Sequence, residues 1–220
     1  MLLITEASSQ ALQGLRDLST LEWYVIPFLA IVLYIYNVEA TKAKKSGNWD
    51  PIFAGLTIFG MDFINETWNG IVFAATQHSA FWTTPGPTAF RVMVGWNIEI
   101  IFWFLIAGII YYYMLPINKD EKILGLPNRW FMAILFAALC VVVECILNIA
   151  GILVWEYPWW NLSISGVWLI FLIGYFIFTA VANIVMSLET IRKKLTAVGL
   201  IYSVAIILNI IFGGILGWVY

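Results

Sequence analysis

The chain has 220 residues, of which 62% are hydrophobic and 11% are charged, and its formal net charge is −2. Soluble domains average about 45–50% apolar and about 25% charged residues, so this composition places the chain among membrane proteins and gives no support for nucleic-acid binding. A single histidine excludes histidine-rich di-iron enzymes and bis-histidine haem. Phosphate- and dinucleotide-binding motifs do not occur, and Cys140 and Cys145 lack metal-ligand spacing, so we predict neither a cofactor nor a metal site.

Residues 1–20 predict a short amphipathic helix that lies on the membrane surface. Leu12, Leu15 and Leu18 recur every third residue among polar side chains. Six apolar runs of spanning length follow. They cover residues 21–39, 51–75, 96–116, 129–155, 164–187 and 195–219, each with uncertain ends. The sequence therefore predicts an all-α, polytopic bundle of six transmembrane helices, with residues 1–220 forming a single integral-membrane domain.

Basic residues are distributed unevenly between the predicted loops. Nine of the eleven fall on one side: Lys42, Lys44, Lys45, Lys119, Lys122, Arg129, Arg192, Lys193 and Lys194. Only Arg16 and Arg91 fall on the other. The positive-inside rule then predicts cytoplasmic basic loops and places both termini outside, in a plasma membrane or bacterial inner membrane.

Tryptophan residues concentrate on the predicted outer side. The set comprises Trp23, Trp82, Trp96, Trp155, Trp159, Trp160 and Trp218. Because tryptophan favours the headgroup level, we interpret these residues first as an interfacial belt. The loop at residues 76–96 is the longest external connection, and its Pro-Gly-Pro turn and aromatic content predict that it folds back over the bundle.

The second predicted span carries an unusual polar stripe within the stretch FGMDFINETWNG, residues 59–70. Asp62, Asn65, Glu66 and Asn69 follow the spacing i, i+3, i+4, i+7, so they share one helix face. The midpoint of the span lies near residue 63, which places these side chains deep in the bilayer. A carboxylate there costs about 2.5–3.5 kcal/mol on insertion scales, so it faces the bundle interior and usually marks function.

Further polar and aromatic candidates occupy other spans. Glu144 and Asn148 lie four residues apart on the fourth span at a similar depth, and Glu99 begins the third. No lysine or arginine is available at that depth, so we expect at least one of Asp62, Glu66 and Glu144 to hold a proton, or a hard cation to neutralise them. The amides, taken singly, are equally typical of hydrogen bonds between helices.

These residues predict an intramembrane enzyme of a cyclase or isomerase type. Asp62 or Glu66 would act as general acid on an apolar lipid or isoprenoid substrate, with Glu144 as the complementary base. The predicted substrate-binding residues are Asn65, Asn69, Trp68, Glu99, Trp103, Asn148 and Tyr175. Such an enzyme would be similar in kind to the integral-membrane terpene and lycopene cyclases, a likeness of architecture and chemistry that no sequence motif carries.

Two other function classes fit the same residues. The carboxylates would equally suit a small proton- or cation-coupled transporter or channel. Alternatively, the chain would be a structural or assembly subunit whose acidic stripe meets a basic helix of a partner. The expected partners are membrane lipid and an apolar small molecule, and either a homo-oligomer or a partner membrane subunit is compatible with the sequence.

Overall fold

The computed structural model describes residues 3–118 and 120–220 and is mostly helical. Met1 and Leu2 of the predicted surface helix, and Lys119 of the predicted basic loops, lie outside the described residues. The helices are α1 (Glu6–Gln13), α2 (Val25–Ser46), α3 (Asp50–Thr76), α4 (Ile98–Met114), α5 (Asn128–Ile149), α6 (Ile164–Leu169), α7 (Ile177–Ser187) and α8 (Ile191–Asn209). A π-helical segment, Ile170–Phe176, joins α6 to α7, and another, Ile210–Ile215, continues α8.

Each of the six predicted spans overlaps a long helical element. Among the described residues, four helices are long and apolar enough to cross a membrane: Val25–Ser46, Asn128–Ile149, Ile164–Ser187 and Ile191–Ile215. Helix α4 is apolar but has only 17 residues, and α3 has 27 residues interrupted by its polar stripe. A count of six membrane crossings therefore stays a prediction.

Short strands in the loops make the fold mostly helical rather than all-α. They are β1 (Trp82–Thr83), β2 (Arg91–Met93), β3 (Trp96–Asn97), β4 (Lys122–Ile123), β5 (Leu126–Pro127) and β6 (Val154–Trp155). They form three antiparallel pairs, β1 with β6, β2 with β3, and β4 with β5. The pair β1–β6 ties together the loops that follow α3 and α5, with Trp82 opposite Trp155.

Helix α3 is central to the bundle and packs against α2, α4, α7 and α8. The core between α3, α4, α5 and α7 contains Ile58, Phe104, Tyr111, Phe136 and Phe178. Helix α4 begins where the Asn97 side chain accepts a hydrogen bond from the Ile100 amide, at 2.9 Å. Helix α5 ends at Ile149, six residues before the predicted boundary, because Gly151 adopts φ of +71° and the chain then enters β6.

One end of the bundle is covered by a layer that we call the cap, formed by residues 3–24, 77–97, 150–163 and 216–220. Helix α1 docks there by the Thr5 amide, which donates to His78 O at 3.1 Å. The Arg16 amide likewise donates to Arg91 O, at 2.8 Å. The prediction that the long loop folds back over the bundle is confirmed, since Trp82 and Trp96 within it are buried.

Helix α1 is shorter than the surface helix predicted over residues 1–20. It ends at Gln13, and Leu18 is 73% exposed in a separate 3-10 turn. The fully buried residues of α1 are the small Ser8 and Ala11, which allow close contact with the bundle. Leu12 is partly buried and packs against the same cluster as Ala11, so one of the three predicted leucines faces the bundle.

The opposite end of the bundle, which we call the basic end, comprises the loops and adjoining helix ends at residues 39–50, 111–118, 120–129 and 183–194. Its polar groups bind one another. Lys194 pairs with Asp50, and the Tyr111 hydroxyl donates to Asn183 Oδ1 at 2.9 Å. The Asn183 amide donates to Arg129 O at 3.0 Å. These contacts join α3 to α8 and α4 to α5 and α7.

Candidate functional site

Three buried carboxylates meet at one cavity beneath the cap. Asp62 and Glu66 on α3 and Glu144 on α5 are 3%, 3% and 6% exposed. All three line a cavity of about 610 Å³ between α3, α4, α5 and the π-helical segment. The stripe on α3 therefore faces the bundle interior, as its helical spacing predicted.

Each of these carboxylates accepts a hydrogen bond from a tryptophan of the cap. Trp96 Nε1 donates to Asp62 Oδ2 at 2.8 Å, and Trp82 Nε1 donates to Glu66 Oε1 at 2.7 Å. Trp155 Nε1 donates to Glu144 Oε1 at 3.0 Å. Since an indole is a neutral donor, it orients a carboxylate without cancelling its charge.

These tryptophans correct the interpretation of an interfacial belt. Trp82, Trp96 and Trp160 are buried, whereas Trp23 is 76% exposed and fits a belt. Helical periodicity could not reveal the three donors because they come from loops 11 to 34 residues away in sequence. The sequence did contain a signal for these donors. Buried carboxylates without nearby cations need neutral donors, and tryptophan is abundant only on the predicted outer side.

Glu66 has one oxygen that is left free. Its Oε2 atom is buried and makes no hydrogen bond among the described residues. Gly95 passes directly over this group, and a Cβ there would lie 2.7 Å from Oε2 and 2.5 Å from Asn69 Nδ2. Only glycine allows this approach of the cap backbone to the stripe.

Asn69 and Asn148 hold the cap in place and do not line the cavity. Asn69 Oδ1 accepts hydrogen bonds from the amides of Phe81 and Trp82, and its Nδ2 donates to Trp82 O at 2.8 Å. Asn148 Nδ2 donates to Leu153 O at 3.0 Å. Both amides are therefore occupied by backbone groups of the loops that follow their own helices, and a role of Asn69 and Asn148 in substrate binding stays a prediction.

Trp68, another predicted substrate-binding residue, lies apart from the cavity. It is 51% exposed and does not line the cavity. Two residues after Glu66, it lies about 200° around the helix and so faces away from the stripe. The other predicted substrate-binding residues, Asn65, Glu99, Trp103 and Tyr175, all line the cavity. Their role in binding stays a prediction.

Glu99 differs from the other cavity carboxylates because its oxygens are already occupied. Tyr24 donates its hydroxyl at 2.6 Å, the Ala89 amide donates at 3.0 Å, and Thr88 donates its hydroxyl. Glu99 therefore joins the segment before α2 to the long cap loop. This contact network favours a structural role over proton transfer.

Tyr175 reaches the cavity from the π-helical segment. It is next to Glu144 and near Cys140, which also lines the cavity. A π-helical turn shifts the side chains that follow it around the helix axis, and such turns occur frequently at functional sites. The sequence contains no signal by which we could have anticipated this segment.

Cationic side chains are absent from the described lining of the cavity. Arg91, the buried base of the cap, donates instead to the carbonyl oxygens of Ala11, Thr84 and Gly86. Burial lowers the pKa of this guanidinium from its ordinary value, while the charge of Glu99 acts in the opposite direction. Within residues 3–118 and 120–220, no three His, Cys, Asp or Glu side chains are grouped as ligands of one metal ion.

Comparison with known proteins identifies the family of this chain. An uncharacterized protein of Archaeoglobus fulgidus is 43% identical over 215 residues, which cover 98% of this chain and 99% of the relative. Another from the same organism is 45% identical over 51 residues, 23% of this chain and 91% of that protein. No solved structure matches. A family model described as "Uncharacterized membrane protein family" matches residues 5–214, and the chain therefore belongs to this family of membrane proteins.

Proposed function

We propose that this protein is an intramembrane enzyme that performs acid-base chemistry on an apolar lipid or isoprenoid substrate. One observation carries the proposal: three buried carboxylates, held by neutral indole donors, face a cavity with no described cationic side chain. Carboxylates placed together in a low-dielectric site cannot all stay ionised without a counter-charge. At least one would therefore carry a proton that it can donate.

The proposed roles follow from the contacts of each carboxyl group. Glu66 has a free oxygen in the buried site, so it is the favoured general acid, with Asp62 sharing the proton. Glu144 lies on the facing helix and would remove a proton from the product-forming intermediate. Trp103, Tyr175 and Trp160 line the same cavity and would stabilise positive charge on the substrate through cation-π contacts.

The proposed membrane arrangement has six spans with both ends of the chain outside. The spans would be α2, α3, α4, α5, the continuous element Ile164–Ser187, and Ile191–Ile215. The excess of lysine and arginine at the basic end supports a cytoplasmic position for that end. The cap and the carboxylates would then lie toward the outer leaflet.

A proton- or cation-coupled transporter would use the same carboxylates, but other features favour the enzyme. Toward the basic end the described cavity lining is apolar, with Ile110, Met114 and Phe136. The nearby polar groups Tyr111 and Asn183 bind each other and Arg129 O. This arrangement offers few polar steps for an ion on that side.

The test uses purified protein in lipid nanodiscs and a panel of neutral isoprenoid alkenes and epoxides. Cyclisation or isomerisation keeps the mass of the substrate and changes its chromatographic retention. We expect the wild type to convert one panel member and the double variant Asp62→Asn, Glu66→Gln to convert none. In parallel, proteoliposomes containing a pH-sensitive dye should show no proton flux.

Two outcomes would contradict the proposal. Flux that disappears in the double variant would establish the transporter instead. Unchanged turnover in the double variant would show that the carboxylates do not perform the chemistry. Stoichiometric co-purification with a partner that places an arginine or lysine against α3 would favour the structural or assembly subunit.

A further inference from the structure

The cavity is elongated and has different chemistry at its two ends. Along α4 its lining extends from Glu99 to Met114, which at 1.5 Å per residue corresponds to about 22 Å. The carboxylates and Trp82 lie in the half beneath the cap, while Ile110, Met114 and Phe136 line the other half. A cavity of about 610 Å³ with this length suits one extended chain better than a compact ring system.

The cavity is open toward the side of the bundle, between α4 and α5. The two helices contact each other at the basic end, where Tyr111 of α4 donates to Arg129 O of α5 at 3.3 Å, but their backbones make few close approaches, and both line the cavity. Trp103 on α4 and Leu139 and Val143 on α5 belong to the lining and are 47%, 49% and 52% exposed. In a membrane protein, such exposed apolar positions face lipid tails.

The charges of the site select the kind of group that can react there. Glu66 lines the cavity, and its buried Oε2 atom makes no hydrogen bond among the described residues. Lysine, arginine and histidine are missing from the described lining, and Arg91 binds backbone carbonyls. A phosphate or diphosphate group would therefore lie against carboxylates with no cation to compensate its charge. This repulsion would lower the affinity of a phosphorylated ligand.

We propose that the site takes a single-chain lipid whose reacting end is uncharged, and that this lipid enters from the bilayer through the gap between α4 and α5. The chain occupies the apolar half, and the neutral end meets Glu66 beneath the cap. A phosphorylated lipid of the same chain length is rejected. This inference rests on the proposed function for its chemistry but concerns binding, so it can be tested without turnover.

The first experiment compares two ligands that share one chain. A diazirine analogue of farnesol is photolysed with the protein in nanodiscs, and the labelled peptides are mapped by mass spectrometry. We expect labels on α4 and α5, competition by farnesol, and competition by farnesyl diphosphate that is weaker by about tenfold or more. Equal or stronger competition by the diphosphate would overturn the proposal.

The second experiment blocks the lateral opening with a matched pair of variants. Val143→Trp adds bulk to a lining position, whereas Val142→Trp adds it to the adjacent position, which is 56% exposed and outside the lining. Both keep an exposed apolar residue, so both should fold, which thermal unfolding checks. We expect Val143→Trp to reduce labelling severalfold and Val142→Trp to leave it unchanged. Equal labelling of the two variants would show that the chain does not enter by this gap.

A third variant separates this inference from the proposed function. The triple variant Asp62→Asn, Glu66→Gln, Glu144→Gln lacks the carboxyl groups that would repel a diphosphate. In this variant, the preference for farnesol over its diphosphate should shrink to about threefold or less. A preference that persists unchanged would contradict the charge argument. Loss of turnover in the carboxylate variants combined with equal binding of both ligands would refute the substrate class and leave the proposed acid-base chemistry standing.

Discussion

Carboxylates at the two ends of the bundle are neutralised in different ways. At the basic end, Glu39 pairs with Lys42 at 2.7 Å and Asp50 pairs with Lys194. Beneath the cap, Asp62, Glu66 and Glu144 receive indole N–H groups and no cation from the described chain. Both Glu39 and Glu66 are buried, at 5% and 3% exposure, so burial alone does not distinguish them.

The difference shows which carboxylates are committed to structure. A lysine partner favours the ionised form of a carboxyl group, because only the ionised form makes an ion pair with the lysine. An indole donor orients the side chain and also stabilises its ionised form, but as a neutral group it supplies no counter-charge. The cavity carboxylates are therefore positioned like functional groups, whereas Glu39 and Asp50 at the basic end are ion-paired.

The largest expected effect comes from exchanging glutamate for glutamine at both ends. Glu144→Gln should lower turnover by about 10²–10⁴-fold, the usual contribution of a general acid or base. Glu39→Gln changes a buried glutamate outside the cavity that is hydrogen-bonded to Lys42 and Tyr113, so it should change turnover by less than about threefold. Rates are measured in nanodiscs with the converted panel member. Similar losses of turnover in both variants would show that the cavity glutamate matters no more for turnover than the ion-paired Glu39.

The next effect concerns the close approach of the cap to the stripe. Gly95→Ala places a methyl group 2.5–2.8 Å from Asn69, Glu66 and Trp82, so the cap must shift, at a cost of about 1–3 kcal/mol. Gly86→Ala lies in the same loop with nothing within 4 Å and should be nearly neutral. Thermal unfolding in detergent compares the two midpoints. A neutral Gly95→Ala would show that the cap does not rest on the carboxylates.

Removing a neutral donor should leave a buried carboxylate unsatisfied. Trp96→Phe deletes the hydrogen bond to Asp62 and should destabilise the protein by about 1–3 kcal/mol. Trp23→Phe, at a position 76% exposed, provides the control and should change stability by at most about 0.5 kcal/mol. The unfolding midpoints of the two variants decide. If they coincide, the indole contacts do not support the carboxylates.

The smallest effect is expected at the basic end. Asp50→Asn weakens the pair with Lys194, whose two side chains are 17% and 13% exposed, and should cost about 1 kcal/mol at low salt. The loss should shrink as ionic strength rises, because salt screens a pair near the surface. By contrast, the Trp96→Phe loss should not depend on salt. A salt-independent Asp50→Asn effect would argue against an ion pair there.

The sequence was sufficient to predict the helices and the direction of the stripe on α3. Apolar runs fix where helices form, and the 3.6-residue period fixes which side chains share a face, so Asp62 and Glu66 were placed correctly. Trp68 was assigned to substrate binding although the same period turns it away from the stripe, and it lies outside the cavity lining. The end of α5 required knowing that Gly151 adopts a positive φ, which the apolar composition of residues 150–155 concealed.

Contacts between the cap and the bundle lay beyond the sequence. The donors Trp82, Trp96 and Trp155 reach their carboxylates only because β1 pairs with β6 and β2 with β3. Pairs of two or three residues leave no periodic pattern to detect. Likewise, α1 docks by the small residues Ser8 and Ala11 beside Leu12, which the spacing of the leucines alone did not reveal. The tertiary position of loops, rather than helix formation, limited the prediction of the site.

The proposed chemistry requires that a carboxyl group in the cavity beneath the cap holds a proton. Infrared difference spectroscopy at neutral pH, in nanodiscs, detects such a proton through the carbonyl stretch of the protonated carboxyl group. We expect a band that is lost or shifted in at least one of Asp62→Asn, Glu66→Gln and Glu144→Gln and is unchanged in Glu39→Gln. A spectrum without this band, or a band that survives all three cavity variants, would show that these carboxyl groups do not hold the proton.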